Sequence, residues 1–316
     1  MGYNKSDKWL VVLNPNAGGE LAKRTWPAIK KELDKQGFSF NLVKTQRSLH
    51  AIELVKKKIE EGFKKIIAIG GDGTLHEVVN GIMQQQHTDT NEILLALISV
   101  GTGNDWIKTH GISGDYKQAI QQIKTGKTIQ QDVGCVTYKN GSEMPEKRFF
   151  INSVGIGFDA RVVKYIMPHK AKGKSRKSDY VKGILKSLFA HRNVKSIIHL
   201  DDKIIDTKIF NLTIGVCQYK GGGFKLLPNA VPNDGLLDVT LACKISKRKL
   251  IVALPKIFGG RVEKIKYFDF YQVQDMILDI SSPIHMEADG EYLGFYPLQV
   301  SLAPNQLRLI SDYKKL

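Results

Sequence analysis

The chain has 316 residues, 42% of them hydrophobic and 25% charged. This composition excludes a disordered or low-complexity chain, and the length favours two domains over one small core. Forty-seven Lys and Arg against 31 Asp and Glu give a formal net charge of +16, which points to an anionic partner: nucleotide, nucleic acid or an acidic membrane surface.

In chain order, WLVVLNP reads as a strand ending in a turn, and helix signals run from Leu21 to Gln36, where Gly37 stops them. FSFNLVKT is a second strand. HAIELVKKKIEEG spaces Ile52, Val55 and Ile59 as one helix face. KKIIAIGG is a third strand, TLHEVVNGIMQQ opens the next helix, and ILLALISVGTGND is a fourth strand and turn. Strands apolar throughout, separated by helices, predict a parallel sheet covered on both faces. After Asp132 the signals become strand-like and turn-rich, from VGCVTY and KRFFINSVGIGF to FYPLQVSLA and QLRLIS, with one helical interruption near Asp179 to His191. That half predicts a mostly antiparallel β domain.

Cys135, Cys217 and Cys243 show neither disulfide nor metal-ligand spacing and read as buried thiols in a reducing compartment. The start lacks a secretory pattern, and the longest apolar run, Ile93 to Val100, is far short of the ~20 residues of a spanning helix. The expectation is a cytoplasmic protein, peripheral to a membrane at most.

Three of the four early strands end in turns suited to phosphate: Asn14-Pro15-Asn16-Ala17-Gly18-Gly19, Gly70-Gly71-Asp72-Gly73-Thr74 and Gly101-Thr102-Gly103-Asn104-Asp105. Glycine lets the backbone approach an oxyanion, a following helix offers N–H donors, and Thr74, Thr102 and Asn104 add side-chain hydrogen bonds. Neither a Walker loop nor the dinucleotide fingerprint occurs. Asp72 beside a polyphosphate would repel it unless a cation lies between, and Mg²⁺ is the economical choice; the same carboxylate also suits a helix N-cap.

GGDGT followed by LHEVVNG, with NPNAG upstream and GTGND downstream, resembles the catalytic domain of the diacylglycerol kinase family, and above all its soluble bacterial lipid kinases. NAD kinases and phosphofructokinases share the glycine-aspartate turn. The resemblance implies an α/β nucleotide-binding domain over 1–131, to which 304–316 returns, and a β-sandwich-like lipid-substrate domain over 132–303, with the active site in the cleft between them. By the same resemblance Asn14, Pro15, Asn16, Ala17, Gly18, Thr45, Gly71, Asp72, Gly73, Thr74, Leu75, His76, Glu77 and Thr102 correspond to ATP contacts. Asp72 corresponds to the acid at the phosphates and metal, and Asp132 to an aspartate of the metal and water network. His76 departs from the family's usual asparagine, and as a residue of the first helical turn it reads as solvent-facing.

VPNDGLLDV reads as a turn entering a strand. The resemblance makes Asp234 the ligand of a structural Mg²⁺, with the carbonyls of Val231 and Leu236. In HMEADGEYLG, Asp289-Gly290 reads as a hairpin turn with an exposed acid, and the resemblance makes Glu291 the general base. Glu287 and His285 are competitors, and Asp159 in NSVGIGFDARV reads as structural.

From Lys164 to Lys195 there are ten Lys or Arg and one acid, Asp179, with Tyr180, Val181, Ile184, Leu185, Leu188 and Phe189 on one stripe. This is a core-packed helix with a solvated basic face or a surface for anionic lipid headgroups. No nucleic-acid motif accompanies it. The resulting expectation is an ATP- and Mg²⁺-dependent lipid kinase. An NAD kinase-like enzyme with a soluble acceptor and a non-catalytic nucleotide-binding regulator are the alternatives. The lipid acceptor and the oligomeric state, a homodimer included, are left open.

Overall fold

A computed structural model describes residues 7–101, 104–141, 144–171, 177–243 and 245–314. The chain forms two compact units, Met1–Asp132 with Pro304–Leu316, and Val133–Ala303.

The first unit begins β1 (Trp9–Leu13), α1 (Ala17–Lys35), β2 (Phe40–Lys44), α2 (His50–Glu60), β3 (Lys65–Gly70), α3 (Asp72–Gln84) and β4 (Leu94–Ser99). It continues through α4 (Trp106–His110), α5 (Tyr116–Thr125) and β5 (Thr128–Gln131). β1 lies parallel to β2 and β3, and β3 parallel to β4. Leu13 is level with Ile69 and Gly70 with Ser99, so β1, β3 and β4 end at one rim. Val11, Leu13, Ile67, Ile69, Ala96 and Ile98 are buried in one cluster with Ala22, Ile29 and Leu33 of α1 and Ile120 and Ile123 of α5. α2 packs on α3 at Gly81, where a Cβ would lie 2.8 Å from Cβ of Val55. Regular helix in α1 starts at Leu21, because Gly18, Gly19 and Glu20 are successively left-handed.

The second unit contains β6 (Gly134–Tyr138), β7 (Glu146–Phe150), β8 (Ser153–Gly157), α6 (Phe158–Ala171), α7 (Lys177–Ala190), β9 (Val194–Leu200) and β10 (Lys203–Gly215). Then come β11 (Tyr219–Lys220), β12 (Phe224–Lys225), β13 (Leu237–Cys243), α8 (Lys247–Phe258), β14 (Phe268–Val273) and β15 (Asp275–Ile280). β16 (Met286–Ala288), β17 (Glu291–Gly294) and β18 (Pro297–Leu302) complete it. Its eleven-stranded sheet runs β17-β16-β8-β10-β9-β15-β18-β6-β7, with β13 on β10 and β14 on β13. This is an antiparallel, sandwich-like domain. The last strand, β19 (Leu307–Ile310), belongs to the first unit, parallel to β4 and antiparallel to β5.

Three expectations need correction. The single helical interruption is a pair, α6 and α7, and a further helix, α8, follows β13. The strand reading of NSVGIGF ran too far: Gly157, with φ of +106°, turns the chain and Phe158 starts a helix. α8 carries apolar residues on more than one face and a proline, Pro255, so periodicity alone did not mark it. Of the three cysteines, Cys243 is only partly buried, at the end of β13.

Candidate active site

At the rim of the first sheet, side chains join the three turns. Asn14 Nδ2 donates to Thr74 Oγ1 at 3.0 Å, while Asn14 Oδ1 accepts from the amide of Asn16 at 3.1 Å. Asn104 Oδ1 accepts from the amide of Asp72 at 3.3 Å, and its amide nitrogen donates to Ser99 Oγ. Asp72 Oδ2 in turn accepts from the amide of Asp105 at 2.7 Å. Asp72 therefore caps the backbone of the third turn from the first residue of α3, and Asp105 in turn pairs with Lys108 at 3.2 Å.

Glycines are required where these turns touch. A Cβ on Gly18 would lie 3.1 Å from Cα of Gly101, and both residues have positive φ. A Cβ on Gly70 would lie 2.3 Å from Thr74 Oγ1, and one on Gly71 2.8 Å from Asn104 Oδ1. Backbone thus meets backbone beside the N-terminus of α3, an arrangement suited to an anion.

Not every residue of the expected nucleotide set presents its side chain there. Thr102 lies outside the described residues. Thr45 is buried, its amide donating to the carbonyl of Leu13 at 3.0 Å. Leu75 is fully buried, so its side chain belongs to the core. Glu77 accepts from the amides of Leu49 and Ala51 at 2.9 and 3.0 Å, which makes it the N-terminal cap of α2. Pro15, Asn16, Ala17 and Gly73 stay at least partly open to solvent. His76, expected at the surface, is fully buried. The reason is that every residue of α3 from Thr74 to Ile82 is buried, so the helix has no solvent face at His76.

In the second unit Asp289 and Gly290 form the two-residue turn between β16 and β17, closed by the pair Ala288 and Glu291. Their φ values of +49° and +83° are those of a hairpin turn with both central residues left-handed. Asp289, expected as an exposed acid, accepts from three backbone amides: Ile151 at 2.9 Å, and Asn152 and Ser153 each at 3.0 Å. Glu287 Oε2 accepts from the amide of Gly290 at 2.7 Å, while its other oxygen meets Lys220 Nζ. Lys220 also lies 3.1 Å from Asp159. All three charged groups crowd Gly155, where a Cβ would lie 2.4 Å from each.

Burial lowers the pKa of Lys220, but Asp159 and Glu287 outweigh it and raise the pKa above the ordinary lysine range. Burial pushes Glu287 up to about 6, with Lys220 pulling the other way. His285 is lowered to about 4 by burial and by Arg161 and Lys164, and its Nδ1 lies 2.8 Å from the Tyr292 hydroxyl. Both competitors of Glu291 have structural partners. Glu291 itself begins β17 and is partly exposed to solvent.

Residues 8–136 match the family model described as diacylglycerol kinase catalytic domain, and residues 152–311 match that of the YegS C-terminal NAD kinase beta sandwich-like domain. A diacylglycerol kinase of Staphylococcus epidermidis is 30% identical over 292 residues, covering 91% of this chain and 86% of that protein. The chain belongs to the diacylglycerol kinase family. Membership makes it a kinase. Among solved structures, a diacylglycerol kinase from Bacillus anthracis is similar with a TM-score of 0.70 at 19% identity, covering 97% of both chains. Yeast NADH kinase complexed with NADH is similar with a TM-score of 0.54 at 9% identity, covering 98% of this chain and 84% of that one. These two likenesses concern the fold.

In this diacylglycerol kinase family member the expected metal residues are dispersed between the units. Asp132 is buried and accepts from Gln306 Nε2 at 2.6 Å, an arrangement made by the returning C-terminal segment. Asp234 is exposed, and its Oδ1 accepts from the amide of Leu236 at 3.1 Å, closing the turn before β13; Val231 is partly buried. Among the described residues no group of three or more His, Cys, Asp or Glu is arranged to hold a metal ion. Sequence reasoning missed Asp105, whose backbone answers Asp72, and Lys220, whose partners lie more than sixty positions away along the chain. The run of glycines after Lys220 was the one local signal that this stretch is special.

Proposed function

We propose that the protein is an ATP- and Mg²⁺-dependent lipid kinase, transferring the γ-phosphoryl group of ATP to a hydroxyl of diacylglycerol or a related lipid at an anionic membrane surface. The observation that supports this most is the rim of the first sheet. Three strand ends stand in register, Gly18 and Gly101 of the first and third turns meet backbone to backbone, and Gly70 and Gly71 of the second leave room for the side chains of Thr74 and Asn104. Family membership supports phosphoryl transfer as the reaction.

The glycine turns at the rim hold phosphate oxygens beside the N-terminus of α3, with Asn14, Thr74 and Asn104 fixing the turns. A carboxylate beside phosphate oxygens, as at Asp72, suits Mg²⁺, an ion that keeps several waters and takes one or two carboxylates together with phosphate oxygens. Asp72 would hold the ion, whose charge would offset that of the phosphates. Glu291 is the general base: it takes the proton of the lipid hydroxyl as that oxygen bonds to the γ-phosphorus. The bond from the γ-phosphorus to the β-phosphate bridge breaks, and ADP leaves. Asp289 and Glu287 hold the turn from which Glu291 projects.

The test is labelled ATP with extracted lipids in mixed micelles, and NAD as a soluble acceptor in parallel. A labelled lipid is expected, with Asp72→Ala and Glu291→Ala each reducing it at least about a hundredfold. Undiminished labelling in both variants removes these assignments. Labelled NAD with no labelled lipid establishes the soluble acceptor instead, and nucleotide binding without turnover on either establishes a regulator.

A further inference from the structure

Helix α8 is apolar on two sides. Leu250 and Ala253 face inward and, with Ile257, join the buried clusters of the second unit. Ile251 and Val252 face the other way, 51% and 79% exposed, and Pro255 is exposed with them. At 3.6 residues per turn these three form a crest opposite the buried face, with Arg248 one turn before Val252. Lys247 flanks the crest on one side and Lys249 and Lys256 on the other.

The crest extends beyond the helix. Phe189, at the end of α7, is 74% exposed, and its carbonyl accepts from Lys247 Nζ at 2.5 Å. On the other flank a groove of about 110 Å³ opens between α8 and Tyr267, bordered by Lys249, Lys256 and Lys266. Between Asp238 and Glu263 the sequence has six Lys or Arg and no acid. Inward and outward residues also alternate at the end of α7: Leu188 is buried and Phe189 is not, so the apolar stripe read there is not wholly core.

We infer that the crest of Ile251, Val252 and Phe189, with its basic flanks, is the surface by which this protein docks on an anionic lipid bilayer. A crest of apolar side chains gains by leaving water for acyl chains, and flanking ammonium groups gain from anionic headgroups; the pattern is that of an interfacial helix. A nucleic acid satisfies the lysines but leaves the crest in water. The inference deepens the lipid-kinase reading and rests on it for the choice of a bilayer as partner.

The test is sedimentation of the full chain with phosphatidylcholine vesicles, with and without phosphatidylglycerol. It requires no turnover, so failure of the kinase assay leaves its result readable. The expected result is binding that needs phosphatidylglycerol, weakens with salt, and falls at least about tenfold in a double variant Ile251→Asp, Val252→Asp of unchanged melting temperature. Arg248→Glu weakens binding to the anionic vesicles alone. A double variant that sediments like the wild type overturns the inference. So does retention of duplex DNA in place of vesicles, or a change in sedimentation velocity showing that the crest is covered by a second copy of the chain.

Discussion

Lys220 and Glu287 form an ion pair sealed within the second unit, and Glu287 passes that anchorage to the amide of Gly290, one residue before Glu291. Gly155 leaves the space both need. Removing one partner strands a charge. Lys220→Met is expected to cost about 3–5 kcal/mol, a fall of roughly 10 °C in the melting temperature of a unit this size. The double variant Lys220→Met, Glu287→Gln is expected to recover part of that, because an amide oxygen can still accept from Gly290 while the Asp159 carboxylate still loses its lysine. Thermal unfolding of both single variants, the double variant and the wild type measures the coupling.

Asp289→Asn separates the aiming of the base from the holding of the nucleotide. The carboxylate answers three amides with two oxygens, whereas an asparagine turns an NH₂ toward at least one of them. A stability loss of about 2–4 kcal/mol is expected. On the proposed reaction, kcat falls at least about tenfold while KM for ATP stays within about twofold. Steady-state kinetics with ATP varied at fixed lipid gives both numbers.

Gly18→Ala tests the contact between the first and third turns. The residue has φ of +64°, and the added methyl meets Cα of Gly101 at 3.1 Å, so either the backbone changes or the turns separate. The combined strain is expected at about 1–2 kcal/mol, which weakens nucleotide affinity by roughly tenfold. Isothermal titration with Mg·ATP measures it.

His110 makes the first unit acid-sensitive. Burial lowers its pKa to about 3, with Gln131 opposing, and its Nδ1 lies 3.0 Å from Ser311 Oγ of the returning segment. Unfolded, it titrates near ~6.5. Between those values the unfolded chain binds the extra proton, so stability is full above pH ~6.5 and is lost as pH falls, by on the order of 4 kcal/mol at the limit. Trp9, Trp26 and Trp106 all lie in this unit, so tryptophan fluorescence follows its unfolding. Urea midpoints are expected to fall from pH 7 to pH 4, and His110→Gln is expected to flatten that slope.

Much of the first unit is legible in the sequence because its signals are local. A strand buried on both faces is an uninterrupted apolar run, and a tight turn declares itself in glycines, so the alternation and the three turns follow from spacing alone. The second unit is less legible. Short antiparallel strands identify themselves but not their partners, and β8, which lies between β16 and β10, is separated from β16 by more than a hundred residues. The hydrophobic pattern of α8 fits no single buried face, because its outer side is apolar as well. His76 looks like a surface residue of an amphipathic helix until α3 is seen to be enclosed from Thr74 to Ile82.

By itself the sequence determined the two chemical halves of the protein: a parallel α/β unit with phosphate-suited turns, and a β-rich unit carrying the Asp289-Gly290-Glu291 turn. Tertiary structure alone decided which polar groups answer one another: Asn14 and Thr74, Asp72 and the amide of Asp105, Lys220 with Asp159 and Glu287, Asp289 with three amides at the bend into β8. Periodicity records which side of an element is buried. The partner of a buried charge is set by strand register and chain return, and neither leaves a mark within a few residues of the charge itself.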